Sequence, residues 1–182
     1  MGFFNLSVYT KRAIAGGVLA AVFTGLGTFL LGNLSGYEAK QLIESSLPGV
    51  NTFFNTVVLA SATILALLLT LMSISSASKS KLKEEHYIYV LKIARLVTIV
   101  FITSITSFLL LNLPITESDD VPNNWFRYIY YISIALASLH CGAIIAVVMM
   151  LYSTIGNIIK IVGLKESDHP LAMSDKEKQD SD

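Results

Sequence analysis

Four long apolar stretches, separated by polar segments, dominate the pattern of hydrophobic and polar positions along the chain. They cover residues 13–32, 53–75, 95–113 and 128–151. A helix rises about 1.5 Å per residue, so about twenty apolar residues cross the roughly 30 Å hydrocarbon core of a bilayer. The pattern therefore predicts an all-α integral membrane protein whose residues 1–164 form a bundle of four transmembrane helices.

The first stretch, 13–32, could also be the apolar part of a cleaved signal peptide, because Lys11 and Arg12 precede it. It is longer than the roughly 7–15 apolar residues of such a peptide, and Gly32-Asn33-Leu34 is not an A-x-A-like cleavage site. We therefore expect a retained span. Small residues recur along one of its helical faces, which another helix could approach closely: Gly17, Ala21, Gly25, Thr28 and Gly32.

The second stretch carries a face of small and hydroxylated residues at helical spacings of three and four. We call it the threonine face, and it comprises Thr52, Thr56, Leu59, Thr63, Ala66, Thr70 and Ser73. Its hydroxyls could line a water-filled pore in a homo-oligomer. They could instead form hydrogen bonds between packed helices, or bond back to carbonyls of their own helix. Packing between helices is the interpretation that we favour from the sequence.

The segments between the spans also show helical patterns. Residues 35–50 predict a short interfacial helix that ends before Pro48. The third helix is expected to begin in water near Ser80 and to enter the bilayer at about Arg95. The fourth should continue beyond its apolar part to Val162, with a weak point at Gly156-Asn157. Residues 165–182 are charged and poor in large apolar side chains, which predicts a disordered cytoplasmic tail.

Composition and charge placement support a membrane location and give an orientation. Hydrophobic residues make up 53% of the chain and charged residues only 14%, against about a quarter charged in soluble domains. All of the 13 Lys and Arg residues except Lys40 and Arg127 fall before the first stretch, between the second stretch and Arg95 inclusive, or after the fourth stretch. The positive-inside rule then places both termini in the cytoplasm of a plasma membrane, most simply a bacterial inner membrane. Three lysines between the second and third stretches are expected to contact anionic lipid head groups: Lys79, Lys81 and Lys83.

His140, near the middle of the fourth span, is the main candidate for chemistry within the membrane. Ionisable groups are costly in lipid and often functional, so His140 could relay protons, sense pH or bind a metal or small ligand. The alternative is a neutral imidazole that bonds a threonine or a carbonyl of a neighbouring helix. We favour this alternative because no carboxylate lies within the spans. The third span adds hydroxyls at similar depth: Thr103, Ser104, Thr106 and Ser107.

Several classes of function have no support in the sequence. No Asp, Glu, Lys or Arg lies in the interior of the spans, which is unlike a proton-coupled pump or a carboxylate-driven transporter. The single cysteine, Cys141, allows no internal disulfide and no CxxC motif, and we predict neither a metal site nor a cofactor. No nucleophile–base pattern indicates an enzyme, and the net charge of zero gives no reason to expect a nucleic-acid partner.

Two hypotheses remain for the function. The leading one is a passive, channel-like permeation protein: a homo-oligomer whose hydroxyl-lined path uses Thr56, Thr63 and Thr70, with His140 as a modulator. The other is a non-transporting scaffold or regulatory subunit that binds a partner protein or lipid. Six hydroxylated residues are the candidates either for lining a pore or for packing between helices: Thr56, Thr63, Thr70, Ser73, Thr103 and Ser107.

Overall fold

A computed structural model describes residues 8–30, 35–77, 84–113 and 122–159, and these residues form four helices. The helices are α1 (Val8–Leu30), α2 (Gly36–Ala77), α3 (Glu84–Leu111) and α4 (Asn123–Ile158). No strand occurs in these four ranges, so the prediction of an all-α fold is confirmed for them. The tail at 165–182 and the lysines at 79, 81 and 83 lie outside the described residues.

Three of the helices, α2, α3 and α4, are long and apolar enough to cross a membrane. The predicted spans 53–75 and 128–151 lie within α2 and α4, and α3 covers residues 95–111 of the predicted span 95–113. The first predicted span, 13–32, coincides with most of α1, a helix of 23 residues. That α1 also crosses the bilayer, and that both termini lie in the cytoplasm, remain predictions.

The core lies where α2, α3 and α4 pack against one another, while α1 packs mainly on α4. Apolar residues spaced three or four apart along each helix supply the side chains of this core. They include Ile64 and Leu68 of α2, Ile93 and Val97 of α3, and Val147 and Met150 of α4, all buried. Large apolar side chains cover much of the outer surface, as lipid contact requires; Phe23 of α1 and Leu69 of α2 are both 74% exposed.

The prediction that a separate interfacial helix ends before Pro48 is wrong. One helix of 42 residues, α2, runs from Gly36 through Pro48 to Ala77. Proline removes one backbone hydrogen bond and crowds the preceding turn, which is why the sequence predicts a break. In the fold, the segment before Pro48 is held against α4, where Ala39 is fully buried beside Phe126 and Tyr130. Packing therefore outweighs the local cost of the proline.

A capping box starts α2. The backbone amide and the hydroxyl of Ser35 both donate to the Glu38 carboxylate, each over 2.8 Å. The Glu38 amide donates back to the Ser35 hydroxyl over 3.3 Å. This reciprocal pair satisfies amide donors that have no partner within the helix and fixes the helix start at this position.

The two other long helices also extend beyond their apolar cores. Within the described residues α3 begins at Glu84, well before Arg95, and α4 begins at Asn123, before the aromatic residues of its span. The weak point expected at Gly156-Asn157 does not interrupt α4, which continues to Ile158. Glycine costs a helix only about 1 kcal/mol relative to alanine, which neighbouring contacts offset.

The helices α1 and α4 cross at Gly17 and Gly142 with their backbones close together. A Cβ atom built on Gly17 would lie 2.9 Å from the Ala146 Cβ and against the carbonyl oxygen of Gly142. A Cβ atom on Gly142 would likewise meet the Gly17 carbonyl oxygen and would lie 2.9 Å from the Ala21 Cβ. Only glycine lets the two backbones come this close, as at other small-residue crossings in membranes.

Candidate functional site in the helix bundle

His140 lies inside the bundle and joins α4 to α3. The side chain is only 4% exposed. Its Nδ1 is 2.7 Å from the Leu136 carbonyl oxygen, and its Nε2 is 3.1 Å from the hydroxyl of Thr103 on α3. A carbonyl can only accept, so Nδ1 carries the proton and donates to Leu136. With the proton on Nδ1, Nε2 of an uncharged ring is an acceptor that lies within hydrogen-bond distance of the Thr103 hydroxyl.

The Thr103 hydroxyl has a competing acceptor, because its oxygen is also 2.8 Å from the carbonyl oxygen of Ile99. A hydroxyl has one proton to donate, so it serves either His140 or its own helix at any moment. The third wall of the site is Phe54 of α2, whose ring meets the imidazole edge-on with centroids 5.1 Å apart. One imidazole therefore contacts all three core helices.

Each of the three core helices also carries a buried serine whose hydroxyl is unpaired among the described residues. Ser61 of α2 and Ser104 of α3 are fully buried, and Ser138 of α4 is 6% exposed. The hydroxyl oxygens of these three residues have no hydrogen-bond partner among the described residues. Ser138 lies 3.6 Å from where a Cβ of Gly25 would stand, so it faces α1. Their small size allows the helices to approach closely.

The threonine face lies on the outside of the bundle. All seven of its residues are exposed, whereas Phe54, Val57, Ser61 and Ile64 on the opposite side of α2 are buried. Each threonine hydroxyl donates to a carbonyl of its own helix four residues earlier. These bonds join Thr52 to Pro48, Thr56 to Thr52, Thr63 to Leu59 and Thr70 to Ala66, over 2.7–3.1 Å.

The structure thus separates the candidate residues that the sequence grouped together. Thr103, itself an exposed residue, contacts the buried His140, and Ser107 is buried on the same helix. Thr56, Thr63, Thr70 and Ser73 lie on the outer surface of α2. Within one chain these two sets do not form a common lining.

A pair of side-chain amides joins α2 to the end of α3, and the sequence alone does not predict it. The side-chain amide of Asn51 donates to Asn112 over 2.8 Å, and that of Asn112 donates to Asn51 over 2.9 Å. Each residue lies near the end of an apolar stretch, and this position is the only indication in the sequence that the two side chains could pair. Their pairing needs the axial offset of two helices, which the sequence does not contain.

The chemistry available at the site is limited to one imidazole and several hydroxyls. Within the four described ranges, no three His, Cys, Asp or Glu side chains lie close enough together to hold a metal ion. No protein-family model matches this chain, and no curated protein or solved structure shows significant similarity to it. The arrangement of helices and side chains is therefore the basis for any functional proposal.

Proposed function

We propose that this chain is a multi-pass membrane scaffold or regulatory subunit that works by associating with further copies of itself through the threonine face of α2. The observation that carries this proposal is the outward position of that face. Contact with lipid alone gives no reason for a row of small side chains. Elsewhere the surface presents large apolar side chains. A row of small, self-bonded residues lets another helix approach without leaving hydroxyl donors unpaired.

The rotational position of the threonine face also supports association. Successive helix residues are about 100° apart, so the mean direction of the threonine face is opposite to that of Val57, Ile64 and Leu68. These three residues are buried in the core of the same chain. A second chain can therefore cover the threonine face without disturbing the core. In the proposed orientation both termini lie in the cytoplasm, and the face crosses the bilayer.

A passive permeation protein is the second candidate, and the exposed hydroxyls favour it. At the level of His140, the buried imidazole and the buried Phe54 ring pack against each other inside a single chain. A path would therefore have to lie between copies, with Thr56, Thr63 and Thr70 directed at a common axis. Such a ring needs several chains, because adjacent α2 helices must leave room for water.

Replacing Thr63 by leucine tests the proposal. Thr63→Leu places a large side chain at the centre of the threonine face, so we expect the wild-type oligomer to become a single chain in lipid nanodiscs. The matched control is Thr98→Leu, which makes the same change at an exposed threonine of α3 whose hydroxyl also donates to its own helix, and it should leave the oligomer intact. Native mass spectrometry gives the number of chains. A monomeric wild type, or equal effects of both variants, would contradict the proposal.

The same preparation distinguishes the two candidates. Thr63→Cys in a Cys141→Ser background gives one thiol on the threonine face. A ring of at least about four chains, with ion flux in liposomes that a water-soluble thiol reagent blocks, would establish permeation. A dimer without flux, whose thiol is protected, would establish the scaffold.

A further inference from the structure

A cavity of about 100 Å³ lies between α2, the end of α3 and the start of α4. It forms because α3 ends at Leu111, whereas the first turns of α2 and α4 lie beyond that end and pack against each other. Within the described residues, the two longer helices have no third helix between them at this level. The lining is mainly apolar and includes Ile43, Leu47 and Val50 of α2 and Phe126, Ile129 and Ile134 of α4.

The cavity reaches the surface of the bundle. Ser46 and Leu113 line it and are exposed, whereas Phe126 and Tyr130, also in its lining, are buried. The hydroxyl of Ser133, another lining residue, donates to the Ile129 carbonyl of its own helix over 2.7 Å. The space is therefore an apolar recess with an accessible rim, which suits a hydrocarbon group.

A positive charge stands close to this recess. The ammonium group of Lys40 lies 5.4 Å from the centre of the Phe126 ring, which holds it by a cation–π contact. Ile43 follows Lys40 by three residues, about one helical turn, and lines the cavity. Lys40 makes no ion pair among the described residues, and the nearby carboxylate of Glu38 already accepts two hydrogen bonds from Ser35. The ammonium group is thus available to an anion.

We propose that this cavity binds part of an acyl chain of an anionic phospholipid, whose phosphate group pairs with Lys40. An apolar recess next to one unpaired ammonium group matches an amphiphile with a negatively charged head. An apolar cavity of about 150 Å³ takes up a molecule of the size of benzene, so about 100 Å³ holds a few carbons of a chain. The site therefore binds a segment of a membrane lipid. This proposal is independent of any association through the threonine face.

Native mass spectrometry of the full chain in detergent tests the site with two lipids of identical acyl chains, phosphatidylglycerol and phosphatidylcholine. We expect the wild type to retain the anionic lipid about fivefold more tightly, the effect of one basic group near a head group. Lys40→Gln should remove this preference. The control Lys92→Gln changes an exposed lysine about 28 Å along α3 from Leu111 and should keep the preference.

Filling the cavity tests the second part of the site. Ser133→Leu occupies the recess without breaking a bond between helices, and it should lower retention of both lipids at least threefold. Ser46→Leu, at the exposed rim, gives a second variant if Ser133→Leu does not fold, as judged by circular dichroism. Equal retention of the two lipids by the wild type would overturn the proposal. Equal loss in Lys40→Gln and Lys92→Gln, or unchanged retention after the cavity is filled, would also overturn it.

Discussion

Replacing His140 by alanine should lower the free energy of unfolding by about 2–4 kcal/mol, the largest effect that we expect from a single substitution in this chain. The change removes a buried ring that contacts Phe54 of α2 and Thr103 of α3. It leaves a cavity at the level where three helices meet. Unfolding in mixed micelles, titrated with sodium dodecyl sulfate and followed by circular dichroism, measures this loss.

A double-mutant cycle with Thr103→Val separates the hydrogen bond from the packing. We expect a coupling of about 0.6 kcal/mol between His140→Ala and Thr103→Val, the average for such bonds in membranes, and at most about 1.7 kcal/mol. The matched control is Thr106→Val, because the exposed Thr106 hydroxyl donates to the Ile102 carbonyl of its own helix. Zero coupling would show that the Thr103 hydroxyl donates to the Ile99 carbonyl and that packing alone holds His140 against α3.

Replacing Gly17 by alanine should separate α1 from α4 and lower the free energy of unfolding by about 1–3 kcal/mol. The new methyl group would press on the Gly142 carbonyl and on Ala146, and a backbone atom cannot move aside as a side chain does. Gly142→Ala should cost a similar amount. The double variant should cost less than the sum, since the first methyl group already moves the helices apart.

Gly27→Ala provides the control on the same helix. No atom lies within 4 Å of the position that its Cβ would take. Alanine is the better helix former by about 1 kcal/mol at most, so this variant should be as stable as the wild type or slightly more stable. If Gly17→Ala and Gly27→Ala behaved alike, the tight crossing of α1 and α4 would be refuted.

The sequence predicts individual helical faces well because each face depends on the period of one helix. The small face around Gly17 and the inward position of His140 could be proposed in this way. That Gly17 meets Gly142, or that Phe54 meets His140, depends on the rotation and axial offset of two helices. Neither quantity is present in a single periodic pattern. The same reason hides the amide pair of Asn51 and Asn112.

The error at Pro48 has a different origin. Proline rules describe the cost of a residue within an isolated helix, and that cost predicts a break. In this fold Ala39, in the turns before Pro48, packs against Phe126 of α4. These tertiary contacts keep the helix continuous through the proline. The cavity beside this segment could not be predicted either, because it exists only if α2 continues past the end of α3.

The unbroken α2 makes the molecule taller than the membrane that we expect it to occupy. Its 42 residues give a length of about 63 Å, roughly twice the thickness of the hydrocarbon core. A typical tilt of about 20° shortens this height by only a few ångströms. Several turns of α2 must therefore extend beyond the hydrocarbon core, past the head groups at the level of Lys40 and into water at the first turn around Glu38. That end of the protein offers a helix terminus to antibodies, proteases or other soluble molecules that do not enter the bilayer.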